Sequence, residues 1–259
     1  MKMPEKLVLV RHGESELNIL SRKLKKSNEE YPEFAKTTPD REFRLSKKGV
    51  AQAKETGLWL KKEYPEGFDV IYVSDFIRAK ETCALICKEA GWNDVKIKVD
   101  PQLVERNWGV FNLKNAERRK QLLKAKKRDP LHFPMPHGET LLETRTRSRV
   151  FLDRCARQFV GKKVLVVTHG EYIEAIWSEI AHYRTENQKE FFESPMGDIK
   201  NCQVVEFKSD EKRFSEVRSS NPQLQMFGDW NKIDREELTP DQLLEEVKKY
   251  QHYINEEES

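Results

Sequence analysis

Two apolar runs in this chain end on histidine. Leu7-Val8-Leu9-Val10 leads into Arg11-His12-Gly13-Glu14-Ser15, and more than 150 residues later Val164-Leu165-Val166-Val167 leads into Thr168-His169-Gly170. An unprotonated imidazole can attack phosphorus and carry the phosphoryl group, which divides one difficult displacement into two easier ones. Such a nucleophile needs cations beside it, both to neutralise phosphoryl oxygens and to depress its own pKa. Arg11 adjoins His12, and Arg78 follows a third apolar run, Val70-Ile71-Tyr72-Val73. Guanidinium groups grip phosphate oxygens as a two-pronged fork, which lysine cannot do. His169 can donate to an equatorial oxygen as charge develops. The departing alkoxide then needs a proton from a carboxyl of raised pKa, for which Glu105 is the candidate and Glu14 and Asp75 the alternatives.

These side chains need a scaffold that carries them to one place. Short β-branched apolar runs read as parallel strands buried on both faces, and Gly13 permits the tight turn that follows the first. In open α/β sheets ligands sit beyond the carboxyl ends of the strands, so both histidines would point into one crevice. Glu14 to Ser21 is expected to open a helix, and residues 22–44 read as a polar, irregular excursion over the mouth of the sheet. Ser46 is placed to cap a helix with an apolar stripe of Val50, Ala53, Gly57, Leu58 and Leu60. Phe68–Ser74 reads as a strand, with Arg78 in the first turn of a helix that reaches Gly91. Val95–Val99 alternates like a strand with one wet face, and Pro101–Gly109 reads as a loop returning to the crevice.

Further along, Lys114, Arg118, Arg119, Lys120, Lys124, Lys126, Lys127 and Arg128 face a single acid, Glu117, within residues 114–128. That pattern is read as a solvated surface helix or part of a lid; without interleaved aromatics it offers no stacking platform for nucleic acid. Pro136-His137-Gly138-Glu139-Thr140 starts a long helix with Leu141, Leu142, Val150, Phe151, Leu152 and Phe159 as core candidates. Asn201–Phe207 and Phe214–Val217 read as a strand pair, and Thr239-Pro240-Asp241 opens a last helix to about Ile254.

With 259 residues the chain has room for one large α/β domain, with a core spanning about residues 6–220 and an extension over 221–259 that ends in a helix. The hydrophobic share of 37% against 35% charged residues describes a polar protein, and a net charge of +3 is too small to make the whole molecule a polyanion binder. Cys83, Cys87, Cys155 and Cys202 show no Cys-x-x-Cys spacing. Cys83 and Cys87 share a helix face, where buried thiols serve as small apolar groups. Residues 1–6 run straight into the first strand without a signal peptide, and no apolar run approaches the ~20 residues of a membrane span. The expectation is a cytoplasmic protein that does not bind membranes.

The motifs together resemble the histidine phosphatase superfamily, which includes the phosphoglycerate mutases. Arg11-His12-Gly13-Glu14-Ser15 with Asn18 is similar to its signature. Leu45-Ser46-Lys47-Lys48-Gly49 with Gln52-Ala53, Ser74 through Thr82, Gly138-Glu139-Thr140 and Thr168-His169-Gly170 match its later segments in order. The resemblance implies a three-layer α/β/α sandwich on a mostly parallel sheet, with inserted loop and helical segments over the active-site edge. It also implies phosphorylation of His12, a phosphate pocket completed by Arg11, Arg78 and His169, and Glu105 as proton donor. Ser15, Asn18 and Gly170 would bind a small phosphorylated substrate, with no metal or other cofactor. Mutases carry Glu-Arg-x-Tyr-Gly-Gly where this chain has Glu105-Arg106-Asn107-Trp108-Gly109-Val110, and a tryptophan where it has Leu17. These departures point to hydrolysis of the phosphohistidine by water; the alternatives are mutase-type transfer and a weakly active binding module.

Overall fold

Four runs form parallel strands: β1 (Lys6–Arg11), β2 (Val70–Ser74), β3 (Ile97–Asp100) and β4 (Lys163–Thr168). They lie in the order β3-β2-β4-β1, and the sheet continues from β1 into antiparallel β5 (Val204–Ser209) and β6 (Phe214–Asn221). Two short strands, β7 (Met226–Phe227) and β8 (Asn231–Lys232), both pair with β6. The computed structural model describes residues 2–27, 30–109, 129, 131–133, 136–210, 212–233, 239 and 242.

Within them the helices are α1 (Glu16–Ser27), α2 (Glu33–Thr37), α3 (Lys47–Glu63), α4 (Ile77–Glu89), α5 (Leu141–Gln158), α6 (Gly170–Ile180) and α7 (Thr185–Glu193).

Alternation along β1 builds two cores. Leu7 and Leu9 pack with Val164 and Val166 of β4, Phe151, Leu152 and Cys155 of α5, and Tyr172, Ile173 and Ile176 of α6. Val8 and Val10 face the other way, onto Ile71, Val73, Leu165 and Val167, Leu60 of α3, and Ala79, Cys83 and Ile86 of α4. Each buried valine, leucine, isoleucine or phenylalanine among them contributes about 1.5–3 kcal/mol of burial. Because both faces are covered, β1 and β4 carry unbroken apolar runs, and the result is an α/β fold with a mixed sheet, a parallel core and flanking helices.

Several local expectations need correction. The helix after β1 continues to Ser27, and the segment expected to be irregular contains α2. Leu17, Leu20 and Leu24 recur at helical spacing and cover Tyr31, Ala35 and Phe43, a small cluster separate from the two cores. The long helix begins at Leu141, with Thr140 as its cap, rather than at Pro136. Leu58, Leu142 and Val150 are exposed; each is adjacent in sequence to a buried residue, and one step along a helix turns a side chain about 100° off the buried face. β3 is an edge strand whose Ile97 and Val99 are both exposed, so its alternation does not separate a wet from a dry face.

Ser46 does cap α3, accepting the Gly49 N–H at 3.0 Å, and the β5–β6 pair is antiparallel as expected. All four cysteines are buried and unpaired. Among the described residues no helix is long and apolar enough to cross a membrane. The basic segment 114–128, Val110 and most of the expected C-terminal helix lie outside the described residues.

Candidate active site

The register of β1 on β4 sets Arg11 opposite Thr168, so the residues that follow, His12 and His169, emerge side by side. Their ring centroids are 5.1 Å apart in an edge-on arrangement. The turn after β1 is held from several directions. The His12 N–H donates to Thr168 O at 2.9 Å, the Gly13 N–H to Thr82 Oγ1 at 3.0 Å, and the Glu14 N–H to Gln52 Oε1 at 2.9 Å. Gly13 is required here: a Cβ would lie 2.5 Å from the carbonyl oxygen of Gly49 at the start of α3. Ser15 and Asn18 bond reciprocally across the first turn of α1, and Asn201 Nδ2 donates to His12 O at 3.0 Å and to Asn18 Oδ1 at 3.3 Å.

The protonation of His12 follows from its neighbours. Arg78 Nε donates to His12 Nε2 at 3.1 Å. A guanidinium has no acceptor, so Nε2 must present its lone pair, and the ring proton sits on Nδ1, which donates to Gly13 O at 2.7 Å. Burial, then the charges of Arg78 and Arg11, push the His12 pKa well below its ordinary value and keep the ring neutral. His169 is depressed in the same way, by burial first and then by Arg78. Its Nε2 lies 2.8 Å from Ser74 Oγ at the end of β2, and its buried Nδ1 has no hydrogen-bond partner among the described residues.

Arg11 reaches the carbonyl of Ile199 with Nη1, and its buried Nε has no hydrogen-bond partner among the described residues. Burial lowers its pKa, against the charges of Glu105, Glu174 and Asp198. Gly170, the first residue of α6, lies beside this guanidinium; a Cβ there would sit 3.4 Å from Arg11 Nε, an ordinary contact distance.

Of the three carboxyls considered as proton donor, Glu105 alone has the required character. Burial, reinforced by the charge of Glu171, lifts it to about 7, against a hydrogen bond from the Arg106 N–H and the charges of Arg11 and Arg78. Burial opposes ionisation of Glu14, but hydrogen bonds from Arg22 and Ser46 outweigh it and hold that carboxyl below its ordinary value. Asp75 is exposed and paired with Lys80 at 2.5 Å.

The loop that carries Glu105 is clasped from behind. Arg147 of α5 donates through Nε and Nη2 to the Glu139 carboxylate at 2.9 and 3.0 Å, and through Nη1 to the carbonyls of Gln102 and Val104. Glu139 in turn accepts the Asn107 N–H at 2.9 Å. This is the structural use of the Gly138-Glu139-Thr140 motif. Arg106 is 1% exposed, with Nε on Glu139 O, its guanidinium over the Trp108 ring at 5.1 Å, and both Nη atoms without hydrogen-bond partners among the described residues.

The structure thus brings His12, Arg11, Arg78, His169 and Glu105 to one edge of the sheet. Ser15, Asn18 and Gly170 stand around them, although Ser15 and Asn18 already bond to each other. Sequence reasoning missed the Ser74 contact to His169, the Arg147 clasp and Asp40, which sits on Arg78. Ser74 lies inside a recognised motif, but its use depends on β2 lying beside β4. His132 is half exposed, with Nδ1 3.3 Å from Asp129 Oδ1.

A mixed sheet with a parallel core and helices on both faces defines an α/β protein of a widely used architecture, and solved structures share it. The mycobacterial glucosyl-3-phosphoglycerate phosphatase in complex with VO3 aligns with a TM-score of 0.63 and 20% identity, over 84% of this chain and 98% of that one. The Entamoeba histolytica phosphoserine phosphatase bound to 3-phosphoglyceric acid aligns with a TM-score of 0.58 and 21% identity, over 78% of this chain and 89% of that one. At the level of sequence, the 2,3-bisphosphoglycerate-dependent phosphoglycerate mutase of Methylobacterium radiotolerans is 34% identical over 180 residues, covering 67% of this chain and 78% of that protein. The profile of the histidine phosphatase superfamily (branch 1) matches residues 7–222, and the chain belongs to that family.

Proposed function

We propose that the protein is a phosphatase that hydrolyses a small phosphomonoester through a phosphohistidine on His12. The observation that carries this reading is the fixed tautomer of His12: Nδ1–H is tied to Gly13 O, Nε2 keeps its lone pair and accepts from Arg78 Nε, and arginines flank the ring. In the first step Nε2 attacks phosphorus, the N–P bond forms, and the ester P–O bond breaks as the leaving oxygen takes the proton of Glu105. Arg11, Arg78 and His169, in the tautomer in which Nε2 accepts from Ser74 and Nδ1 carries the proton, receive the three non-bridging oxygens. In the second step ionised Glu105 takes a proton from water, the water oxygen bonds to phosphorus, and the N–P bond breaks to release phosphate and neutral His12. Ser15, Asn18 and Gly170 line the substrate's approach. The donor set contains arginine, histidine and one carboxyl, which suits an anionic ester without a resident metal.

Transfer to a second hydroxyl, as in the mutases, would need a pocket that keeps a bisphosphorylated intermediate. Leu17, where those enzymes carry tryptophan, packs against Tyr31, Ala35 and Phe43, and an aliphatic side chain has no polar group to offer an intermediate. The test is phosphate release from an aryl phosphate and from small sugar phosphates. His12→Ala should lose at least about 10³-fold, the scale of single nucleophile replacements. Brief exposure of the wild type to labelled substrate should leave an acid-labile phosphate on the denatured protein. Undiminished turnover by His12→Ala would refute the assignment, and interconversion of phosphoglycerates with negligible phosphate release would replace it by the mutase reading.

A further inference from the structure

Every prong of Arg78 is occupied. Nε donates to His12 Nε2, Nη1 to Asp40 O at 2.7 Å and to Asp40 Oδ1 at 3.2 Å, and Nη2 to Asp40 Oδ2 at 3.3 Å. Both oxygens of one carboxylate therefore sit on the forked end of the guanidinium, in the place two phosphoryl oxygens would take. The same guanidinium covers the lone pair of the nucleophile. The Arg78 side chain is 5% exposed and that of Asp40 25%, so the pair is partly withdrawn from water.

Asp40 belongs to a strap that is anchored outside the main cores. Tyr31, Ala35 and Phe43 pack on Leu17, Leu20 and Leu24 of α1. Beyond Asp40 the strap is pinned to α4, where Glu81 accepts the Leu45 N–H at 3.0 Å and pairs with Arg44 at 2.6 Å. Between these anchors, residues Asp40–Glu42 form a single 3₁₀ turn with no buried residue. Moving that turn away from Arg78 breaks no apolar packing.

We propose that Asp40 is an internal competitor for the phosphoryl group. Its carboxylate holds the resting site closed on itself, and substrate binding requires the forked end of Arg78 to pass from the Asp40 carboxylate to phosphoryl oxygens, which uncovers His12 Nε2. The inference rests on the phosphatase reading above. It makes Asp40 a determinant of affinity that resides in the strap and acts against every phosphate ester alike.

The test measures binding of inorganic phosphate and orthovanadate by calorimetry in the wild type, Asp40→Asn and Asp40→Glu. Asparagine keeps the size and the backbone contact but removes the competing charge. Asp40→Asn should bind both anions about tenfold more tightly, equivalent to about 1.4 kcal/mol, and should lower KM for an aryl phosphate by a similar factor. Asp40→Glu should stay close to wild type. Equal or weaker anion binding by Asp40→Asn, with an unchanged melting temperature, would overturn the inference while wild-type binding left the phosphatase reading standing. An Asp40→Asn protein that fails to fold would be replaced by Asp40→Ser, for which the same two outcomes apply. Absence of phosphate binding in every protein would overturn both.

Discussion

Glu105 fixes the pH dependence of the proposed reaction. Burial lifts its pKa from an ordinary 4.5 to about 7, so at pH 7 roughly half the molecules carry the proton the leaving group needs, and at pH 8 about one tenth do. Turnover of an alkyl phosphate should accordingly fall about tenfold per pH unit above 7. Glu105→Gln keeps the shape but cannot donate a proton to the alkoxide, and the loss on an alkyl phosphate should be about 10²–10⁴-fold, the usual worth of general acid catalysis. A nitrophenyl phosphate, whose phenolate leaves unprotonated, should show little loss in the burst of the first turnover, before water attacks. The same substitution has a thermodynamic side with a definite sign. A carboxyl whose pKa is higher folded than unfolded favours the native state at low pH, and that stability is lost as pH rises from about 4.5 through about 7, to a limit of about 3 kcal/mol. Glu105→Gln should therefore melt higher than wild type at pH 8, with the difference vanishing toward pH 4.5. Stopped-flow bursts on the two substrates and melting curves across pH check these outcomes. An alkyl-phosphate rate within a few-fold of wild type, or an alkaline limb that survives in Glu105→Gln, would refute the reasoning.

The clasp behind the proton donor gives a second prediction. Arg147→Lys cannot reproduce the fork on Glu139 together with the two carbonyl contacts; kcat on an alkyl phosphate should fall about tenfold, less than the 10²–10⁴-fold worth of the general acid itself, and the alkaline limb should move to lower pH as water reaches Glu105. An unshifted limb would make the clasp merely structural. Gly49→Ala would drive a Cβ into the Glu14 carbonyl oxygen; it should destabilise by about 1–3 kcal/mol in urea unfolding and cost activity at temperatures where the protein remains folded, because the displaced turn carries His12.

The strands were readable because a strand buried on both faces needs an unbroken apolar run, and Leu7–Val10 and Val164–Val167 have no other use. The pairing of two such runs, each ending in histidine, then located the edge where chemistry gathers. Side chains that act through distant partners left no such trace. Nothing around Asp40 announces that it faces Arg78, and nothing around Arg147 announces that it holds the loop of Glu105, since both contacts depend on how the helices pack. Arg106 is a harder case, because guanidinium groups are mostly exposed and its burial at 1% contradicts the residue's usual place. The continuation of α1 beyond Ser21 was obscured by neighbouring lysines and arginines, and emerges only when Leu24 is seen to join Leu17 and Leu20 over Tyr31 and Phe43.

The position of β1 has a consequence for synthesis. It lies between β4 and β5, which are encoded from residue 163 onward. A chain leaving the ribosome amino end first therefore carries Leu7–Val10 for most of its translation before either neighbour exists, an orphaned and sticky segment of the sort chaperones shield. Arg11 and His12 are the earliest part of the site to be made, yet they gain their setting only after the bulk of the polypeptide has emerged.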